Sequence, residues 1–245
     1  MSQAKKIFTR MCLNNWGGIN HKVLEFNEYV NLFSGKSGSG KSTVMDAIQV
    51  ILYGSFSPSF LNKAADDAKN RRSVLSYLRG EQKDGSANRK DCDFCSVIAL
   101  EIEDTGTHMI TCIGIAFEVR KSDSEIKKFV YFSHSGKMPE SEYLTEQGVC
   151  YSNQEIKKLV SVRTKSDDNR GKGEVNRIYG SKEAYLGTLY DVILGYIDQN
   201  RFITMEKSAI ALKMTNGTGQ FIRDYMFPKN TSNTIATISE QLDSY

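Results

Sequence analysis

The chain has 245 residues, 40% of them hydrophobic and 25% charged, with a formal net charge of +3. This content suits a globular protein with a sizeable core and excludes a disordered one. So small a charge does not by itself argue for a nucleic-acid partner, although basic residues gather between Lys63 and Lys90.

The chain opens Met1-Ser2-Gln3-Ala4-Lys5-Lys6 and passes directly into a strand pattern, without a leader and without a long apolar run anywhere. A cytoplasmic protein with no membrane segment is expected. Its five cysteines then read as reduced thiols instead of a disulfide framework.

Ile7 to Leu13 and Lys22 to Phe26 alternate as strands, separated by Asn14-Asn15-Trp16-Gly17-Gly18, whose glycine pair marks a turn. Tyr29 to Ser34 reads as a short buried strand. It feeds Gly35-Lys36-Ser37-Gly38-Ser39-Gly40-Lys41-Ser42-Thr43, which satisfies G-x-x-x-x-G-K-[ST]. In such a loop glycines let the backbone fold around a pyrophosphate, amide N–H groups point inward, and the next helix presents its positive end. Gly35 to Thr43 are therefore the candidate contacts for ATP, with Lys41 reaching the β and γ phosphates and Ser42 a ligand of Mg²⁺. Val44, Ala47, Ile48, Ile51 and Leu52 recur at helical spacing until Gly54 stops the helix.

Leu61 to Gly80 predicts a loop and then a short helix ended by Gly80, and Glu81 to Asp91 reads as a polar, mobile stretch. Phe94 to Glu103 and Thr107 to Arg120 form a predicted hairpin about Asp104-Thr105-Gly106. That hairpin bears on Cys92, Cys95, His108 and Cys112, whose spacing superficially copies a zinc finger. Pairing would set His108 opposite Glu103, roughly 27 Å along the strand from Cys95, so the four cannot share a metal.

Lys128 to Phe132 predicts a further antiparallel strand, with short amphipathic segments around Ser141 to Glu146 and Asn153 to Val160. Arg163 to Glu174 has linker composition. A helix is expected from Ser181, a capping residue, through Tyr196, and another from Gly219 through Met226. In Thr231 to Tyr245, Ile235, Ile238, Leu242 and Tyr245 open a heptad seam; a terminal surface helix is the alternative.

A complete P-loop ATPase also needs an acid at the end of a buried strand. Glu101 after Val97-Ile98-Ala99-Leu100, and Glu118 after Ile113-Gly114-Ile115-Ala116-Phe117, have that look, but half-buried antiparallel strands explain both better. No Leu-Ser-Gly-Gly signature occurs either. The sequence reads as a triphosphate binder without the hydrolytic half. Its rivals are a self-contained kinase or GTPase using Glu101 or Glu118, and a coiled-coil adaptor with a vestigial loop.

The succession of strand, Asn-Trp-Gly turn, strand, phosphate loop and Val44-Met45-Asp46-Ala47-Ile48 resembles the N-terminal half of an SMC-type ATPase head. Asn15-Trp16-Gly17, Asn62-Lys63-Ala64-Ala65 leading to Ser76-Tyr77-Leu78-Arg79-Gly80, and Phe221-Ile222-Arg223-Asp224-Tyr225-Met226 resemble the MukB-like branch, most closely the JetC family of Wadjet plasmid-defence systems. The resemblance implies an α/β fold: half of an ABC/SMC-type P-loop head, with a mixed sheet around the Walker A helix, antiparallel hairpins, a helical lobe and the start of a coiled coil. The corresponding domains are 1–160, 161–230 and 231–245.

It further implies ATP and Mg²⁺ as cofactors, and Walker B and signature motifs beyond a long coil. Implied partners are the C-terminal half of the same head, a second head, kleisin and kite-type subunits, a nuclease and double-stranded DNA. By the same resemblance Trp16 or its neighbours approach the adenine, a core anchor being the alternative. Arg79 points toward the active site or DNA, and Arg71 and Arg72 add phosphate contacts, a solvated surface being the alternative. One departure is that Ser161 to Ala184 holds no glutamine for the metal-directed position.

Overall fold

Alternation of apolar and polar residues lays down the first hairpin, β1 (Lys6–Trp16) and β2 (Ile19–Glu25), joined by Gly17-Gly18 with Trp16 directly opposite Ile19. In this computed structural model the described residues are 4–29, 31–34, 40–58, 61, 72–82, 84–167 and 175–210. The strands run three residues further toward the turn than the sequence suggests, so Trp16 is the last residue of a strand and not part of a loop.

Four more strands complete the sheet: β3 (Phe94–Asp104), β4 (Ile110–Val119), β5 (Lys128–Ser135) and β6 (Arg177–Tyr179). The order is β2-β1-β3-β4-β5-β6, and every pairing is antiparallel. The fold is α/β, as expected. The expected strand at Tyr29 to Ser34 is absent: its described residues are irregular, with Tyr29 80% and Leu32 88% exposed. A strand needs a hydrogen-bonded neighbour, and no described strand lies beside this segment.

Register sorts the side chains into two faces. Lys22, Leu13, Ile98, Ile115 and Tyr131 stand directly opposite one another across five strands and share one face. Helix α1 (Lys41–Tyr53) covers that face: the Tyr131 hydroxyl donates to the Gly54 carbonyl, and Phe56 packs 5.4 Å from Phe117 between ring centroids. Gly54, at φ 56°, ends α1 as the sequence predicts. The opposite face carries Cys12, Val97, Ala99, Ala116 and Phe132, which pack against Met138, Tyr143 and the apolar side of α3 (Asn153–Asp167).

Two further expectations are not met. Arg163 belongs to α3, which continues to Asp167, and donates to the carbonyls of Ser135 at 3.2 Å and Lys137 at 3.1 Å, so a linker does not begin there. Around Ser141 to Glu146 the chain turns with Glu142 at φ 52° and Tyr143 at φ 60°, and forms no amphipathic element.

Two short helices flank the sheet, α2 (Val74–Arg79) and α4 (Lys182–Thr188), each capped by a serine accepting a backbone N–H: Ser73 from Ser76 at 3.0 Å, Ser181 from Ala184 at 3.1 Å. After α4 the helix widens to a π-helical segment, Leu189–Ile193. The chain divides into two compact units, Met1–Gln199 and Asn200–Tyr245. Helix α5 (Gln199–Ile210) begins at the last residue of the first unit, and its other residues belong to the second. The helix expected at Gly219 to Met226 and the heptads of Thr231 to Tyr245 lie outside the described residues.

Candidate functional site

The phosphate-loop motif enters α1 through Gly40, which takes φ 90° and caps the helix, and Lys41 and Ser42 are its first two residues. Ser42 is exposed and Thr43 is buried. Gly35, Lys36, Ser37, Gly38 and Ser39 lie outside the described residues. Beside the start of α1 opens a cleft of about 720 Å³, with Gly40, Lys41 and Val44 on one wall, strand β2 on the other, and Leu32 and Phe33 between them. None of the described residues that line it is acidic. A helix N-terminus and an ammonium at a cleft whose described lining holds no acid are suited to a phosphorylated anion.

The hairpin is fastened to this helix by Trp16. Asn14 points to the α3 side of the sheet and donates to the Glu142 carbonyl at 2.9 Å; strict alternation would send Trp16 the same way. Asn15, in the left-handed region at φ 55°, interrupts the alternation. Trp16 therefore lies against α1 and α2, 0% exposed, donating its indole N–H to the Thr43 carbonyl at 2.9 Å. Its ring stacks on Tyr77, 4.9 Å between centroids and 8° between planes. A ring so enclosed cannot stack on a base, so the adenine role implied for Trp16 gives way to that of a core anchor.

Tyr77 closes the assembly. Its carbonyl accepts the Gly17 N–H at 2.7 Å, and its hydroxyl donates to Asp46, the buried acid that follows the motif on α1. Burial, together with the Asp46 carboxylate, pushes the Tyr77 phenol well above its ordinary range, so the hydroxyl stays a donor. Gly17 is required where it stands: a Cβ there would lie 2.6 Å from Thr43 Cγ2, at a φ of 57°.

In the stretch 81–91, expected to be mobile, the described residues 84–91 are tied down by Arg89, which is 6% exposed. Its guanidinium donates to the carbonyls of Leu78 at 2.7 Å and Gly17 at 2.5 Å, and to Asn20 Oδ1 at 3.1 Å. Nothing in the sequence distinguishes this arginine from other basic residues in a polar run. Arg79 is not brought to the cleft: it donates to the carbonyls of Lys121 and Asp123 in the turn before β5. Arg72 lies 5.4 Å over the Tyr77 ring, and Arg71 is outside the described residues.

Both acids weighed for a self-contained enzyme stand on the face away from α1. Glu101 accepts from the Thr9 hydroxyl at 2.8 Å and the Met138 N–H at 2.7 Å; Glu118 accepts from the Asn153 N–H at 2.9 Å and pairs with Lys128. Neither reaches the cleft. The zinc spacing is likewise dispersed, since Cys95 stands opposite Glu118 and Cys112 opposite Glu101, about 20 Å apart along β3. Burial pushes the Cys95 thiol up to about 11, away from the thiolate a metal needs.

Residues 8–68 match the family model described as the P-loop containing region of AAA domain. No curated protein matches the sequence. One similar solved structure comes from work on ATP-driven dimerisation and DNA-stimulated activation of SMC ATPases; it is 14% identical with a TM-score of 0.34, over 82% of this chain and 98% of the other. A second, the recombination mediator RecF with ATP, is 18% identical with a TM-score of 0.34, over 88% of this chain and 47% of its own. At that score neither likeness carries weight, and nucleotide binding rests on the loop motif, the start of α1 and the P-loop match.

Proposed function

We propose that this chain is the ATP-binding N-terminal half of an SMC-like ATPase head, which couples ATP-driven head engagement and hydrolysis to DNA handling. The observation that carries the reading is the G-x-x-x-x-G-K-[ST] motif delivering Lys41 and a left-handed Gly40 into the cleft at the start of α1. Gly35 to Thr43 contact the nucleotide, Lys41 reaches the β and γ phosphates, and Ser42 ligates Mg²⁺. The donor set fits the ion: an exposed serine hydroxyl lies next to the lysine at a helix N-terminus. Bound Mg²⁺ would offset phosphate charge and fix the β and γ oxygens. Trp16, Tyr77 and Arg89 position the first turn of α1 and the hairpin wall and do not touch the nucleotide.

The described residues supply a binder but bring no acid to the cleft, so turnover requires a carboxylate and a charge-stabilising donor from further polypeptide. The C-terminal half of the head and a second, opposing head fill that role in the proposal. A Wadjet-like plasmid-restriction complex, with kleisin, kite-type and nuclease subunits acting on double-stranded DNA, is the favoured setting, and a chromosome-organising MukB-type condensin is the other.

The test is reconstitution. This chain alone should bind ATP weakly and hydrolyse none, and adding the complementary C-terminal segment should restore both, with Lys41→Ala abolishing the gain. Hydrolysis by this chain alone, abolished by Lys41→Ala, would revive a self-contained P-loop enzyme. No ATP binding even in the reconstituted head would leave the loop vestigial.

A further inference from the structure

We propose that Glu142 and His21 form a proton-dependent clasp, which fastens the turn 139–151 to the first hairpin while a proton is shared between them and slackens when that proton is lost. Both the side chain and the backbone of Glu142 are held. Its Oε2 lies 2.7 Å from His21 Nε2 and its Oε1 3.3 Å from Arg10 Nη2, while its carbonyl accepts from Asn14 Nδ2 at 2.9 Å and from the Cys12 thiol at 3.5 Å. Side chains of β1 and β2 thus converge on one residue of the turn, where Glu142 and Tyr143 both take left-handed φ, 52° and 60°. Consecutive non-glycine residues in that region persist only where contacts hold them.

The hydrogen-bond directions fix where the protons must be. Asn14 is 0% exposed, and its Nδ2 is committed to the Glu142 carbonyl; Oδ1 therefore faces His21 Nδ1 at 2.6 Å, and that nitrogen must carry a hydrogen. His21 Nε2 in turn faces a carboxylate oxygen, so the pair closes only with a proton between Nε2 and Oε2. Arg10, beside the other oxygen, balances an ionised carboxylate, which leaves the ring as the imidazolium. Of the other groups around it, the Cys12 thiol is pushed by burial up to about 12 and stays neutral. Glu25 stands opposite Arg10 on the His21 face of β2, Lys22 is on the face that α1 covers, and Glu140 and Glu146 of the turn are exposed. Loss of the proton turns a lone pair toward the carboxylate at hydrogen-bond distance, so rising pH opens the clasp and falling pH closes it.

The test is amide hydrogen exchange in this chain, read at Glu142 and Leu144, whose N–H groups donate within the turn to the Pro139 carbonyl at 2.8 Å and the Ser141 carbonyl at 2.9 Å. Protection factors divide out the intrinsic pH dependence of exchange. In wild type both should fall about tenfold from about pH 6 to about pH 8.5. Buried His134, whose pKa is lowered to about 4, acts below this range and with the opposite sign. In His21→Gln and Glu142→Gln the protection should vary by less than about twofold, because a side-chain amide can turn to offer either a donor or an acceptor. Nitrogen NMR of the wild-type His21 ring at about pH 6 should show both nitrogens protonated. Protection in wild type that does not change with pH, or an equal change in His21→Gln, would overturn the clasp. So would a ring with one protonated nitrogen beside full protection at Glu142.

Discussion

The indole N–H of Trp16, the last residue of β1, donates to the carbonyl of Thr43, the last residue of the phosphate-loop motif, at 2.9 Å. A carbonyl oxygen has two lone pairs, so Thr43 can accept the indole as well as its helical bond. Trp16→Phe keeps an aromatic partner for Tyr77 and loses this bond; it should destabilise by about 1 kcal/mol, and Trp16→Ala by roughly 3–5 kcal/mol, in urea unfolding. Because Trp16 is the one tryptophan in the chain, its fluorescence reports on this contact directly. ATP added to the reconstituted head should change it in wild type but not in Lys41→Ala.

The far end of the same helix is held by three phenols from elsewhere in the chain. Tyr185 donates to the Ile51 carbonyl at 2.8 Å, Tyr190 to Leu52 at 2.7 Å and Tyr131 to Gly54 at 2.5 Å. The final carbonyls of a helix lack intrahelical partners, so these hydroxyls satisfy groups that water cannot reach. Each Tyr→Phe change should cost about 1–2 kcal/mol. The Tyr131 and Tyr185 rings stack at 4.7 Å, so that double variant should depart from additivity by more than either pair with Tyr190. Urea midpoints for the single and double variants provide the comparison.

What was legible in the sequence is what local chemistry alone decides. The α1 stop at Gly54, the Ser181 cap and the β3–β4 hairpin each follow from a few adjacent residues. The misreadings share a different character. Residues 81–91 look mobile because a polar run carries no sign that Arg89 turns inward to three acceptors contributed by Gly17, Asn20 and Leu78. Trp16 looks like a loop residue because the left-handed turn at Asn15 that redirects it has no periodicity to detect. Strand β6 is only three residues long and is recruited by Tyr179 pairing with Tyr131, a choice made by tertiary contact. Of the site itself, Lys41 was legible from the motif, whereas the wall facing it could be found only from the register of β2.

The orientation of Glu101 and Glu118 makes a sharp prediction about nucleotide chemistry. Both side chains are on the α3 side of the sheet, each accepting a backbone N–H. Glu118→Gln should leave ATP affinity and reconstituted turnover within twofold of wild type. Glu101→Gln should do the same once unfolding is allowed for, although loss of charge at a buried acceptor for Thr9 and Met138 should cost about 1–3 kcal/mol of stability. A hundredfold fall in turnover at full folded fraction for either variant would mean that one of them reaches the nucleotide.

His134 gives the unit its acid sensitivity. It is 0% exposed, with Nδ1 3.0 Å from the Ser135 carbonyl and Nε2 2.8 Å from the Tyr143 hydroxyl, so the neutral ring donates to the first and accepts from the second. Burial, with a smaller effect from the Arg163 guanidinium, lowers its pKa from 6.5 to about 4. Below pH 6.5 the unfolded chain therefore takes up a proton that the folded chain refuses, and stability falls as pH drops from 6.5 toward 4, by roughly 3 kcal/mol in all. The window is separable from that of Asp104, whose carboxyl is held at about 2 by Lys6 and by the Thr107 and Gly106 amides, so that its contribution is lost only in stronger acid. His134→Gln removes the titrating group, whatever its own cost in stability. Unfolding free energies measured from pH 7 to 4 should slope steeply in wild type and be nearly flat in this variant. Parallel curves would mean that the ring is already protonated in the fold.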